Sequence, residues 1–358
     1  MLLKTSQDSL KTVFKYIAKV PFAKTVLHRL SEAARGKSVV FFSLHRVIAQ
    51  ELGERDYIDP TALNVQKIKE IIIEIHKTLP FISMKEAIAL LKGKQPLLSS
   101  QAVLLLETPY IQSINNLMPL LKELHIPVCI MLSTHSIHSG EMVWMDDVVY
   151  RLATTTKTSV SVKYIDRSFP LTTRTERALA ASHFVEHLSH CHPEALQVKL
   201  AELRETLDDC SMPAPSERIA TIAQLMELMA NSLVSYGAAG QCHWPFYEIH
   251  LDEAAKEIVD AKEELSGLFD RAFVPVFFYP LGFDKRRNQE LLNLMMDSGY
   301  EAAISRTTGI CHPGDNMFRL MRLPLGQNIK SFEQFELMGL SDAIDEFLLV
   351  TLAKDKEY

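Results

Sequence analysis

Apolar and polar positions alternate along the chain in two kinds of run. Short, almost wholly apolar runs occur at residues 38–47 (SVVFFSLHRV), 103–106 (VLLL), 127–134 (PVCIMLST) and 273–282 (FVPVFFYPLG). They are too short for ordinary helices and too uniformly apolar for half-exposed strands, so they read as strands covered on both faces. Between them lie stretches whose apolar residues recur three and four positions apart. Residues 64–79 carry such a stripe at Ile68, Ile71, Ile72 and Ile75. Residues 83–93 open on Ser83, place Glu86 at the capping-box position and close on Gly93, which marks both ends of a helix. The same spacing predicts helices over 115–125, 219–232, 252–269 and 287–298, with a last strand over 300–306. Strand and helix in alternation imply parallel strands joined by crossover helices, an α/β fold. The rhythm changes between about 154 and 216, first to short Thr/Ser-rich alternation and then to a polar helical pattern over 175–210. That stretch reads as a helical insertion.

Composition narrows the class without changing this outline. Of 358 residues, 47% are hydrophobic and 23% charged, which fits a globular chain rather than a disordered one. A net charge of −6 provides no overall basic field, so nucleic acid is not an expected partner. The five cysteines (Cys129, Cys191, Cys210, Cys242 and Cys311) form no CxxC pair and read as reduced thiols of a cytosolic-type compartment. Near the N-terminus, Leu10, Val13, Phe14 and Ile17 fall on one helical face, with Lys4, Lys11, Lys15, Lys19 and Lys24 around them. Residues 1–36 are therefore expected to include an amphipathic basic helix. Two readings of it stay open: peripheral contact with an anionic inner-membrane surface, or docking on its own domain. Neither a signal-peptide cleavage pattern nor an apolar run of about 20 residues is present, so the expected location is cytoplasmic.

Candidate chemistry begins where the second apolar run stops, at Glu107-Thr108-Pro109-Tyr110: a lone carboxylate at the end of a buried strand. A second candidate is HFVEH, residues 183–187, which fits the H-x-x-E-H pattern of zinc proteases and sets His183 and His187 on one helix face. It lies on the polar helix of the insertion and reads better as a solvated face. No phosphate-binding glycine motif is present.

Several short strings, in order, resemble the polysaccharide deacetylase (NodB-homology) family. They are LHRV (44–47), LETPY (106–110), LLKELHIPVCIML (120–132), MVWMDDVVYRL (142–152), AGQCH (239–243), DEAAKEI (252–258), FFYPLG (277–282) and MFRLMRLPL (317–325). The resemblance spans roughly 37–325 and implies a distorted (β/α) barrel of the polysaccharide deacetylase type. On that basis a barrel domain is expected over 37–330, followed by a helical tail over 331–358. The resemblance also implies a site at the C-terminal ends of the strands, where one Asp and two His hold zinc or another divalent metal and a second Asp is the general base. The substrate would be an N- or O-acetyl group on a sugar polymer.

Carried over by position, the general base becomes Glu107, one methylene longer than Asp. The metal-binding Asp becomes Thr108, the first metal His becomes Ala239, and the second is His243. Pro109 replaces a glycine and fixes the backbone beside them. One imidazole does not make a catalytic zinc site, which needs three protein ligands, so no cofactor is expected. A substitute set of Glu107, Cys242 and His243 is a further alternative. Tyr110, His243, Trp244 and Tyr279, with Tyr247 nearby, are the expected carbohydrate contacts. The sequence thus points to a pseudoenzyme that binds an N-acetylated glycan or regulates surface-polysaccharide metabolism, the alternatives being an active, divergent carbohydrate N- or O-deacetylase with Glu107 as base and a protein-binding scaffold at the membrane surface.

Overall fold

The computed structural model describes residues 36–49, 62–208, 210, 213–282 and 288–325. The N-terminal helix and C-terminal tail expected from the sequence lie outside the described residues. Seven parallel strands close a barrel: β1 (Val39–Leu44), β2 (Gln101–Leu106), β3 (Val128–Leu132), β4 (Val234–Ala238), β5 (Phe273–Phe278), β6 (Ala302–Thr308) and β7 (Leu320–Pro324). They run round it in chain order, and β7 pairs with β1 to complete the ring.

The two-residue period of the strands sorts their side chains into two layers. Val40, Phe42, Leu44, Leu104 and Leu106 pack outward against α1 (Val65–Thr78) and α3 (Ile111–Glu123). The alternate set, Val39, Phe41, Val103, Leu105, Val276, Ile304 and Leu320, fills the interior with Met84, Ile88 and Leu91 of α2 (Met84–Leu91). Gly237 belongs to this inner layer. A Cβ there would stand 2.7 Å from the Met131 sulfur and from Val276, so the close approach of β3, β4 and β5 requires glycine. The predicted caps of α2 form as expected, with Ser83 and Glu86 exchanging hydrogen bonds.

Three details differ from the sequence reading. The first apolar run breaks at His45: β1 ends at Leu44, and Arg46–Ile48 pairs with Ala62–Asn64 in a separate small sheet. The strand over 300–306 is not the last, because β7 follows it and closes the barrel. The insertion between β3 and β4 holds an antiparallel hairpin, Ser159–Val162 with Ile165–Pro170, and the helices α5 (Arg174–Ser189) and α6 (Pro193–Thr206). Its own apolar cluster of Val160, Phe169, Phe184, Leu196 and Leu200 also takes in Trp144, Val148 and Leu152 of α4 (Trp144–Thr154). The packed unit therefore begins ahead of the expected residue 154. Among the described residues, no helix is long and apolar enough to cross a membrane.

Candidate functional site

Continuing the inward register past the apolar layers brings polar residues to the C-terminal mouth of the barrel. From β1 come Ser43 and then His45, from the end of β2 Glu107, from β6 Arg306, and from β7 Arg322. The loop after β4 adds His243. All six line one cleft of about 600 Å³. Its opposite wall is made by α4 and α5, through Met145, Asp146, Val149, Ala178, Ala181 and Val185.

Arg322 decides the electrostatics at the base of the cleft. Only 5% exposed, its Nη1 pairs directly with Glu107 and donates to Ser43 Oγ at 2.7 Å, while the guanidinium lies 4.8 Å over the Phe278 ring. Burial lowers its pKa to about 10, still far above neutrality, so the cation persists. Glu107 consequently spends its charge on a fixed guanidinium. His45 forms the second centre. Its Nε2 meets Asp146 Oδ2 at 2.9 Å and Oδ1 at 3.1 Å, and its Nδ1 stands 3.9 Å from Glu107. The Tyr110 hydroxyl donates to Asp146 Oδ2. Burial pushes the Asp146 pKa up, but the charge and hydrogen bond of His45, the Tyr110 hydroxyl and the Arg46 charge outweigh it, and the net shift is downward.

His243 is held by a pinned loop. Gly240 turns the chain at φ +76, and the buried Glu257 carboxylate accepts from the backbone N–H groups of Gln241 (2.6 Å) and Cys242 (3.2 Å). His243 itself adopts φ +59, uncommon for a residue with a side chain. Its Nδ1 is 3.0 Å from Ser133 Oγ, and the Trp144 indole donates to its carbonyl. Burial, then the neighbouring His45 and Arg306 charges, lower its pKa to about 4, so the ring is neutral at pH 7. Ser133 Oγ also donates to the Ala239 carbonyl, which leaves its lone pairs for an Nδ1–H and gives the tautomer with a free Nε2 acceptor.

The residues expected at the site are only partly brought together. Glu107 and His243 share the cleft. Thr108 is 2% exposed, and its hydroxyl makes no hydrogen bond among the described residues. Ala239 is fully buried in the inner layer. Tyr110, expected as a sugar contact, is 1% exposed, so its ring is not open for stacking and its hydroxyl serves to hold Asp146. Tyr279, expected in the same role, is 0% exposed and packs edge-on against Phe246 and Phe277. Trp244 packs between the barrel core and the insertion core, outside the cleft lining, and the aromatic residue from that loop that reaches the cleft is Tyr247. His45, Asp146, Arg306 and Arg322 were not singled out from the sequence, although three of them lie in the strings LHRV, MDDVV and MRLPL.

These positions do not fit a divalent metal. Thr108 offers a neutral hydroxyl and Ala239 no donor, while a guanidinium lies against the one carboxylate of the set. Among the described residues, no three His, Cys, Asp or Glu side chains converge on a metal-sized point, the set Glu107, Cys242 and His243 included. The HFVEH pair is also unsuited, since Lys199 Nζ lies 3.1 Å from His187 Nε2 and Tyr164 stacks on the same ring.

No protein-family model matches the chain, and no curated protein does. Among solved structures it is similar to the Streptococcus pyogenes deacetylase PplD, determined in complex with acetate. The two share 13% identity over 83% of this chain and 96% of that one, with a TM-score of 0.54. It is also similar to IcaB from Ammonifex degensii, at 12% identity over 84% of this chain and 98% of that one, with a TM-score of 0.52. The fold is the deacetylase barrel. At such low identity the likeness reaches the fold alone.

Proposed function

We propose that the chain is a carbohydrate-binding protein built on a deacetylase barrel, catalytically impaired and acting in the regulation of surface-polysaccharide metabolism from the cytoplasm. The observation that carries this reading is the Arg322 guanidinium paired to Glu107. A general base must be free to take a proton from water, and a carboxylate held by a buried cation is a poor acceptor. The missing donors at Thr108 and Ala239 support the same reading, and the cleft of about 600 Å³ falls in the size range of small-molecule sites.

One observation favours a second reading, a divergent carbohydrate deacetylase. His45, oriented by Asp146 at the wall of the cleft, has the partners of a general acid or base. The two readings separate in one assay: turnover of N-acetylglucosamine oligomers, together with the metal content of protein purified without chelator. The expected result is no turnover, no stoichiometric metal, and oligomer binding weakened several-fold by Tyr247→Ala. Turnover abolished by both Glu107→Gln and Asp146→Asn would replace the binding reading with the hydrolase one.

A further inference from the structure

The charges in the cleft narrow the class of sugar it takes, an inference that rests on the carbohydrate-binding reading above. Both inner carboxylates are engaged: Glu107 by Arg322, and Asp146 by His45 and Tyr110. Arg306 is not. Its register on β6 follows Ala302 and Ile304 inward, it lines the cleft, and no acid pairs with it among the described residues. Its stem runs along bare backbone at Gly282, where an added Cβ would lie 3.5 Å from its Cβ and Cδ. The alkyl part is therefore seated, and the guanidinium is what the cleft presents. Arg322, by contrast, is 5% exposed, committed through Nη1 to Glu107 and Ser43 and buried at Nε, so the open cationic charge among these strand residues is that of Arg306.

The aromatic surface points the same way. A neutral sugar polymer is commonly held by stacking on exposed rings, yet the cleft offers Tyr247 and a Phe278 ring already covered by Arg322. Opposing charge comes from Glu186 on α5, which is exposed at the rim and free to turn toward solvent.

We propose that the cleft binds an acidic glycan, whose sugar carboxylates are paired by the Arg306 guanidinium. Arginine suits this role because its planar fork matches a carboxylate in two parallel hydrogen bonds.

Calorimetric titration of the full chain with two probes tests this. One is a tetrasaccharide alternating N-acetylglucosamine with glucuronic acid, and the other is the neutral N-acetylglucosamine tetramer. The acidic probe is expected to bind about tenfold more tightly at low salt, the scale of one charge-assisted pair. Arg306→Gln should remove that advantage, bringing the acidic probe down to the affinity of the neutral one, Arg306→Lys should keep part of it, and Glu186→Gln should increase it. Added salt should weaken the acidic probe selectively. Equal binding of the two probes, or a preference that survives Arg306→Gln, would overturn the acidic-ligand inference while leaving a glycan cleft in place. Binding of neither would sink the carbohydrate reading itself, and this inference with it.

Discussion

The two halves of the barrel mouth differ sharply. On the β2 and β4 side, where the resemblance places the metal donors, stand Thr108 with an unbonded hydroxyl and Ala239 with none. Toward β1, β7 and α4, His45 and Asp146 are hydrogen-bonded, with the Tyr110 hydroxyl reaching Asp146 from the loop after β2, and Arg322 is fixed on Ser43 and Glu107. Glu107 lies between them and is claimed by the second half. Weak donors on one side of a site do not leave a void. A largely covered carboxylate there still needs a counter-charge, and here β7 supplies a permanent one from the far side of β1.

Removing that counter-charge should have the largest effect. Arg322→Met leaves Glu107 largely covered with only the His45 ring, 3.9 Å away, as a counter-charge, and chemical denaturation should report a loss of about 2 kcal/mol. The double variant Glu107→Gln with Arg322→Met should recover most of it. A loss no greater than that of an exposed arginine would show that the two halves are not electrostatically joined.

Close behind in size is the pH dependence contributed by His243. Its folded pKa, about 4, lies below the ordinary histidine value of 6.5, so the unfolded chain binds the proton more readily. The native state should therefore lose stability as pH falls from 6.5 toward 4 and gain none above 6.5, with a contribution of about 2 kcal/mol by pH 5. His243→Gln should flatten that part of the profile, and an unchanged profile would mean that the ring is solvated.

The smallest effect is expected on the side of Thr108 and Ala239. Thr108→Val replaces an unbonded hydroxyl with a methyl of the same shape and should stabilise the fold by up to about 1 kcal/mol. Destabilisation of that size would reveal a partner for the hydroxyl.

Much of the fold was legible in the sequence because fully covered strands and amphipathic helices have different periods. The 103–106 run led directly to Glu107 at the mouth, and the capped 83–93 helix formed as read. The strand that closes the barrel was harder to see. β7 reads LMRLP, and a central arginine interrupts the apolar run that marks a buried strand. Its burial becomes intelligible only with Glu107, Ser43 and Phe278 around it, partners far away in sequence. The His45 to Asp146 pair was hidden for the same reason. Tyr110 and Tyr279 illustrate the converse: an aromatic residue in a loop near a cleft is compatible with stacking on a ligand or with packing, and burial assigns both rings to packing.

The central proposal is that the mouth does not hold a divalent metal, and zinc titration of chelator-free protein by calorimetry tests it most directly. Comparing the parent chain with His243→Ala isolates the cleft from any zinc taken up elsewhere. The account expects no stoichiometric binding that depends on His243. One equivalent of zinc bound by the parent chain and lost in His243→Ala would contradict it.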